Sequence, residues 1–139
     1  MNFWKNKKVL VTGADGFIAS HLTEKLIDTG AKVTIIIRGT SKNGTNKNTF
    51  QNLSKNYVKK IKNIISCDIS SSDVINHIVK SKPDFIFHLA ASAYVPSSFD
   101  NPLEVNEANT LGTLNILEAT KLLPRLKKVI CTSSSEVYG

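Results

Sequence analysis

Short apolar runs alternate along this chain with longer stretches whose apolar residues recur every three or four positions. The runs are VLVT (9–12), VTIII (33–37), IISC (64–67), DFIFHL (84–89) and KVICTS (128–133), each too short for a helix and rich in β-branched or aromatic side chains. Near-uniform apolarity, rather than strict alternation with polar residues, is the mark of strands covered on both faces. Between them, residues 17–29 carry Ile18, Leu22 and Leu26 on one helical stripe and meet Gly30, a natural stop. Residues 70–81 open on a serine and aspartate cluster able to cap free N–H groups, place Val74, Ile75, Ile78 and Val79 on one side, and end before Pro83. Residues 102–123 repeat the pattern through Val105, Ala108, Gly112, Ile116, Ala119 and Leu123, closing at Pro124.

Strands alternating with helices predict an α/β fold, a parallel sheet with crossover helices on both faces. Five strands and three clear crossovers are expected, in a three-layer, doubly wound Rossmann-like arrangement that stops after the fifth strand. One stretch breaks the rhythm: RGTSKNGTNKNTFQNLSKN (38–56) is polar, rich in asparagine and longer than most connections, so it reads as a functional or disordered loop. No internal repeat or interdomain linker is visible.

Composition narrows the class. The chain has 139 residues, 41% hydrophobic and 21% charged, ordinary values for one globular domain. No apolar run approaches the roughly 20 residues of a membrane span, and the apolar run after the N-terminal lysines breaks at Gly13, too soon for a secretory signal. Cys67 and Cys131 fall inside predicted strands without metal-ligand spacing, which predicts buried, reduced thiols, no metal site and a cytoplasmic protein. The net charge of +7 raises an anionic partner, but the lysines are scattered among asparagines with no aromatic-basic interleaving, so neither nucleic acid nor a membrane is expected to bind.

The chemistry begins in KVLVTGADGFIAS, which places Gly13, Gly16 and Ala19 between the first strand and the first helix, with Asp15 in the turn. N–H groups at a helix start attract phosphate. Gly13 permits the tight turn, Gly16 lets a pyrophosphate approach the backbone, and Ala19 lets the helix pack close to the sheet. The spacing G-x-x-G-x-x-A differs from G-x-G-x-x-G, and glycines before a helix are often turn residues only. Following a strand and opening a βαβ unit, they predict dinucleotide binding. At the end of the second strand, where NAD proteins offer an acid to the ribose, Arg38 stands, and no acid occurs from Lys32 through Asn56. That favours NADP, with Arg38 on the 2′-phosphate helped by Thr40, Ser41 and Lys42; NAD, with a solvated Arg38, is the alternative.

TGADGFIASHL, CDI, HLAASAYVPSSFDNP, NTLGTLNILEA and TSSSEVYG, in that order, resemble the extended short-chain dehydrogenase/reductases, in particular the NAD(P)-dependent nucleotide-sugar epimerase/dehydratase group. The resemblance implies that Phe17 and Ile18 lie along the cofactor pyrophosphate, Asp68 and Ile69 beside the adenine, and Leu89, Ala90 and Ala91 under the middle of the dinucleotide. Small residues at a strand end also leave room for a ligand, or simply end a buried strand. His88 reads as a satisfied core histidine rather than a catalytic one.

By the same resemblance Ser134 hydrogen-bonds the sugar hydroxyl being oxidised, with Ser133 and Ser135 pointing elsewhere along a continuing strand. Glu136 stands where sugar 4,6-dehydratases carry the base at C5; a helix-capping glutamate is the plain alternative. Ser135 replaces the aspartate of some dehydratases, which departs from the dTDP-glucose type and resembles the GDP-mannose 4,6-dehydratase and UDP-glucuronate decarboxylase subgroups. The implied activity is 4,6-dehydration of a nucleotide sugar. An epimerase, a UDP-glucuronate decarboxylase, a 4-reductase and a non-catalytic dinucleotide-binding module are the alternatives. The family's Tyr-x-x-x-Lys pair does not occur in the chain. The expectation is an N-terminal part of a Rossmann domain (1–139), inactive alone, without the C-terminal substrate domain of a homo-oligomeric parent.

Overall fold

A computed structural model describes residues 2–38, 50 and 52–139, so most of the polar stretch after Arg38, with Thr40, Ser41 and Lys42, lies outside the described residues. Five parallel strands, β1 (Lys8–Thr12), β2 (Lys32–Ile37), β3 (Asn63–Ser66), β4 (Phe85–His88) and β5 (Lys128–Cys131), form one sheet in the order β3-β2-β1-β4-β5. The register pairs Val11 with both Ile35 and Phe87, which places β1 at the centre.

Both faces of the central strands are apolar, and two helical layers use them. On one face Val9, Val11, Val33, Ile35 and Ile37 meet Ala19 and Leu26 of α1 (Phe17–Asp28). On the other, Leu10, Ile36 and Ile86 meet Val74 and Ile78 of α3 (Asp73–Ser81) and Ile116 and Ala119 of α6 (Gly112–Lys121). Leu10, Ile35, Ile36, Ile78, Ile86 and Ile116 are wholly buried. Each such side chain contributes roughly 1.5–3 kcal/mol over an exposed one, so the interleaved faces of β1 and β2 hold the three layers together. A short α2 (Lys55–Val58) returns the chain to β3, and α4 (Val95–Asp100) and α5 (Pro102–Asn106) lead through a widened π-helical turn (Glu107–Leu111) into α6.

Several local expectations are corrected. Coverage on both faces describes β1, β2 and β4, whereas edge strands β3 and β5 are largely open, with Ile64 exposed. For the same reason Cys67, one residue past β3, is only half-buried and Cys131, at the end of β5, is exposed; neither is a core thiol. The second helix starts at Asp73, not Ser70, because the Asp68 carboxylate takes the N–H and hydroxyl of Ser70 in a local turn. The long third helix is interrupted by the π-helical turn and ends at Lys121. Strand β5 stops at Cys131, so Ser133 and Ser135 do not alternate along a strand; Ser135–Tyr138 is a 3₁₀ turn.

At Gly112 α6 lies hard against the loop after β3: a Cβ there would fall 2.6 Å from Cδ1 of Ile69. Asn115, one turn on and buried, donates from Nδ2 to the carbonyls of Ile69 (2.9 Å) and Ser70 (3.1 Å). The loop carrying Asp68 and Ile69 is thereby fastened to α6.

Candidate functional site

The strand order reverses between β1 and β4, and loops leaving adjacent strands on opposite sides open a crevice at their carboxyl ends. Gly13 sits at its base with φ +70°, a left-handed conformation that only glycine adopts cheaply. Its N–H donates to the Ile36 carbonyl (2.9 Å), and a Cβ would lie 2.8 Å from Cα of Ala90. The turn after β1 therefore abuts the end of β4 with no room for a side chain.

Gly16 caps α1 without any side-chain hydrogen bond, and the first turn of the helix holds no acid. Its N–H is turned back to the Gly13 carbonyl (2.9 Å). A helix start with no acid of its own and a glycine at the cap fits an incoming phosphate. The Asp15 carbonyl accepts from Asn52 Nδ2 (2.8 Å), which ties the far end of the polar loop to this turn.

At the end of β4 a chain of hydrogen bonds, buried at Thr12 and His88 and exposed at Asn109, holds the crevice floor. Thr12 Oγ1 accepts from the N–H groups of Leu89 (3.2 Å) and Ala90 (3.1 Å), so its one proton goes to Nδ1 of His88 (2.8 Å). That fixes the tautomer: Nε2–H donates to Thr113 Oγ1 (3.1 Å), and the Thr113 hydroxyl donates to the Asn109 carbonyl (2.6 Å). Burial holds the His88 pKa below its ordinary value, and the residue is 4% exposed with both ring nitrogens engaged, the satisfied core histidine expected. The Asn109 side chain clamps Ser92 from both sides, accepting from its N–H (2.7 Å) and donating to its carbonyl (3.0 Å).

A cavity of about 480 Å³ occupies the crevice. Gly13, Asp15, Gly16, Arg38, Asp68, Ile69, Leu89, Ala90 and Ala91 all line it. Phe17 and Ile18 do not; both stand exposed at the start of α1, Phe17 with its ring edge against His21. Ser134 and Glu136 also lie outside the lining, on the exposed segment that leaves β5 from the same carboxyl edge of the sheet. There Ser134 Oγ accepts the Glu136 N–H (3.1 Å), and the Ser135 hydroxyl donates to Glu136 Oε1 (3.1 Å).

The far wall was not legible in the sequence. Ser97 of α4, Glu104 of α5 and the residues that cap these helices, Tyr94 and Asn101, complete the cavity, and Glu104 Oε1 accepts from Arg38 Nη1 at 3.3 Å. Cys67 lines it too, its thiol pKa pushed up first by burial and then by the nearby Asp73 and Asp68 carboxylates. Prolines in the first turns of α4 and α5, Pro96 and Pro102, are the local signal for these helices, but nothing local points Glu104 at Arg38. Among the described residues no group of three acidic, histidine or cysteine side chains could hold a metal ion, and no helix is long and apolar enough to cross a membrane.

The comparisons with known proteins agree with this geometry. A trifunctional UDP-glucose 4,6-dehydratase/UDP-4-keto-6-deoxy-D-glucose 3,5-epimerase/UDP-4-keto-L-rhamnose-reductase of Arabidopsis thaliana is 35% identical over 140 residues, covering 100% of this chain and 21% of its own length. A UDP-N-acetyl-alpha-D-glucosaminuronate decarboxylase of Bacillus cytotoxicus is 39% identical over 134 residues, 96% of this chain and 38% of the relative. The UDP-glucose 4-epimerase of Brucella ovis, solved in complex with NAD, superposes with a TM-score of 0.74 at 28% identity, over 96% of this chain and 37% of that one. The chain thus spans about a fifth to two-fifths of the length of these proteins. The family model described as GDP-mannose 4,6 dehydratase matches residues 10–139, and the chain belongs to that family.

Proposed function

We propose that this chain forms the dinucleotide-binding part of a nucleotide-sugar 4,6-dehydratase that uses NADP. The observation that carries this reading is the close approach of the Gly13 turn to Ala90 at the point of strand reversal, with the uncapped start of α1 facing the cavity between them. Gly16 and the α1 N–H groups suit a pyrophosphate, Leu89, Ala90 and Ala91 leave room for the middle of the ligand, and Asp68 and Ile69 suit the adenine end. Arg38, at the end of β2, suits the 2′-phosphate that distinguishes NADP from NAD. When bound, the nicotinamide supplies reversible hydride transfer at the sugar.

The chain's own polar groups fit the rest of that chemistry. Because Ser134 Oγ accepts the Glu136 N–H, its proton stays available to a sugar hydroxyl. A carbonyl at C4 acidifies the neighbouring C5–H, and the Glu136 carboxylate is the base that removes it. Ser135 holds one Glu136 oxygen and leaves the other for that proton. The decarboxylase reading is kept because the Bacillus cytotoxicus decarboxylase is 39% identical. Unpaired Cys67 and Cys131 suit a cytoplasmic parent, and exposed Val95, Phe99, Leu103, Leu114 and Leu117 along α4 to α6 suit a homo-oligomer.

The test is to incubate the whole gene product and NADP with GDP-mannose, UDP-glucose and UDP-glucuronate in turn. A 4-keto-6-deoxy sugar from one of the first two supports the dehydratase, with Glu136→Gln abolishing it. Carbon dioxide from the uronate, or simple inversion at C4, would replace it with the decarboxylase or epimerase.

A further inference from the structure

Arg38 closes β2 and Glu104 belongs to α5, 66 residues later, yet their side chains meet at 3.3 Å across the cavity they both line. The stretch around Arg38 carries no acid of its own, so the carboxylate facing this guanidinium arrives from the opposite wall of the crevice. The contact is single: one Glu104 oxygen engages Nη1 only. A guanidinium binds phosphate best through two parallel N–H donors, and a carboxylate resident on one of them both occupies that arm and repels the incoming anion.

We propose that Glu104 is a specificity-determining residue for the dinucleotide: it competes with a 2′-phosphate for Arg38, holding NADP affinity down while leaving NAD unaffected. A dinucleotide with a free 2′-hydroxyl leaves the Arg38–Glu104 pair intact. One with a 2′-phosphate must displace the carboxylate and then sit beside it. The pair is half solvent-exposed, at 53% and 38%, so the carboxylate can swing away, and the competition is one of degree rather than exclusion. This inference rests on the dinucleotide reading above.

The test is calorimetric titration of NAD and of NADP into the whole gene product, as wild type, Glu104→Gln, Arg38→Ala and the double variant, at low ionic strength. Glu104→Gln is expected to tighten NADP about tenfold relative to NAD, with NAD changing by less than about threefold, and Arg38→Ala is expected to erase the gain in the double variant. Glu104→Ala serves as the second removal of the carboxylate should the glutamine variant fold poorly. An unchanged NADP-to-NAD ratio in a folded variant overturns the proposal, and so does a selective loss of NADP, which would make Glu104 a support for Arg38. Binding of neither dinucleotide by the wild type instead brings down the cofactor reading itself, and this inference with it.

Discussion

Thr12 Oγ1 stands 2.8 Å from His88 Nδ1 while accepting the N–H groups of Leu89 and Ala90, so a single hydroxyl on β1 terminates β4 and orients its last side chain. Thr12→Val preserves shape but strands two N–H donors and a ring nitrogen. It is expected to cost roughly 2–4 kcal/mol in urea unfolding, whereas Thr12→Ser, which keeps the hydroxyl, costs about 1 kcal/mol or less. Equal costs would show that the hydroxyl is not what holds the strand end.

The same network makes stability depend on acidity. Burial lowers the folded His88 pKa below 6.5, so on acidification the unfolded chain takes up a proton that the folded chain resists. Its contribution is fully present above pH 6.5 and falls as pH drops below that value toward the folded pKa. Unfolding measured from about pH 7.5 to about pH 5 is expected to show the wild type losing its advantage over His88→Gln, at a slope of up to roughly 1.4 kcal/mol per pH unit. A constant difference between the two across that range would contradict the buried neutral ring.

Gly13 and Gly16 are expected to separate stability from binding. Gly13→Ala forces a left-handed φ and drives a Cβ to 2.8 Å from the Ala90 backbone, for a loss of about 2 kcal/mol or more. At Gly16 the backbone is extended and, among the described residues, the added Cβ meets only the Gly13 carbonyl, at 3.1 Å. Gly16→Ala should therefore cost about half as much or less in denaturation while weakening dinucleotide binding by calorimetry about tenfold or more. Unimpaired binding in Gly16→Ala would remove this glycine from the phosphate site.

Cys67 offers a chemical report on occupancy. It lines the cavity and is half-buried, whereas Cys131 is exposed and outside the lining. Both thiols titrate above their ordinary value, so labelling is best run in mildly alkaline buffer. Saturating dinucleotide is expected to slow iodoacetamide labelling of Cys67 about tenfold, read by mass spectrometry of the whole gene product, with Cys131 unaffected. Equal rates at Cys67 with and without ligand would place the adenine end elsewhere.

Much of the fold was legible because its signals are local. Valine and isoleucine runs at 9–12 and 33–37 are apolar at successive positions, and successive side chains of a strand point to opposite faces, so both faces of β1 and β2 had to be covered. The runs at 64–67 and 128–133 look the same in sequence, yet β3 and β5 lie at the edges and stay open, since pairing partners are a property of the sheet. Likewise the helical stripe from Val105 to Leu123 reads as unbroken, and nothing in its period marks the π-helical turn that carries Asn109 to Ser92.

By itself the sequence determined the α/β alternation and the glycine turn after the first strand, because strand and helix periods and glycine's left-handed backbone are written within a few residues of each other. The tertiary structure alone decided that Thr12 meets His88, that Asn115 anchors the loop of Ile69, and that Glu104 faces Arg38. Those contacts join residues 46 to 76 positions apart, and such neighbours are chosen by how the layers close over a shared core, a choice no local run of residues contains.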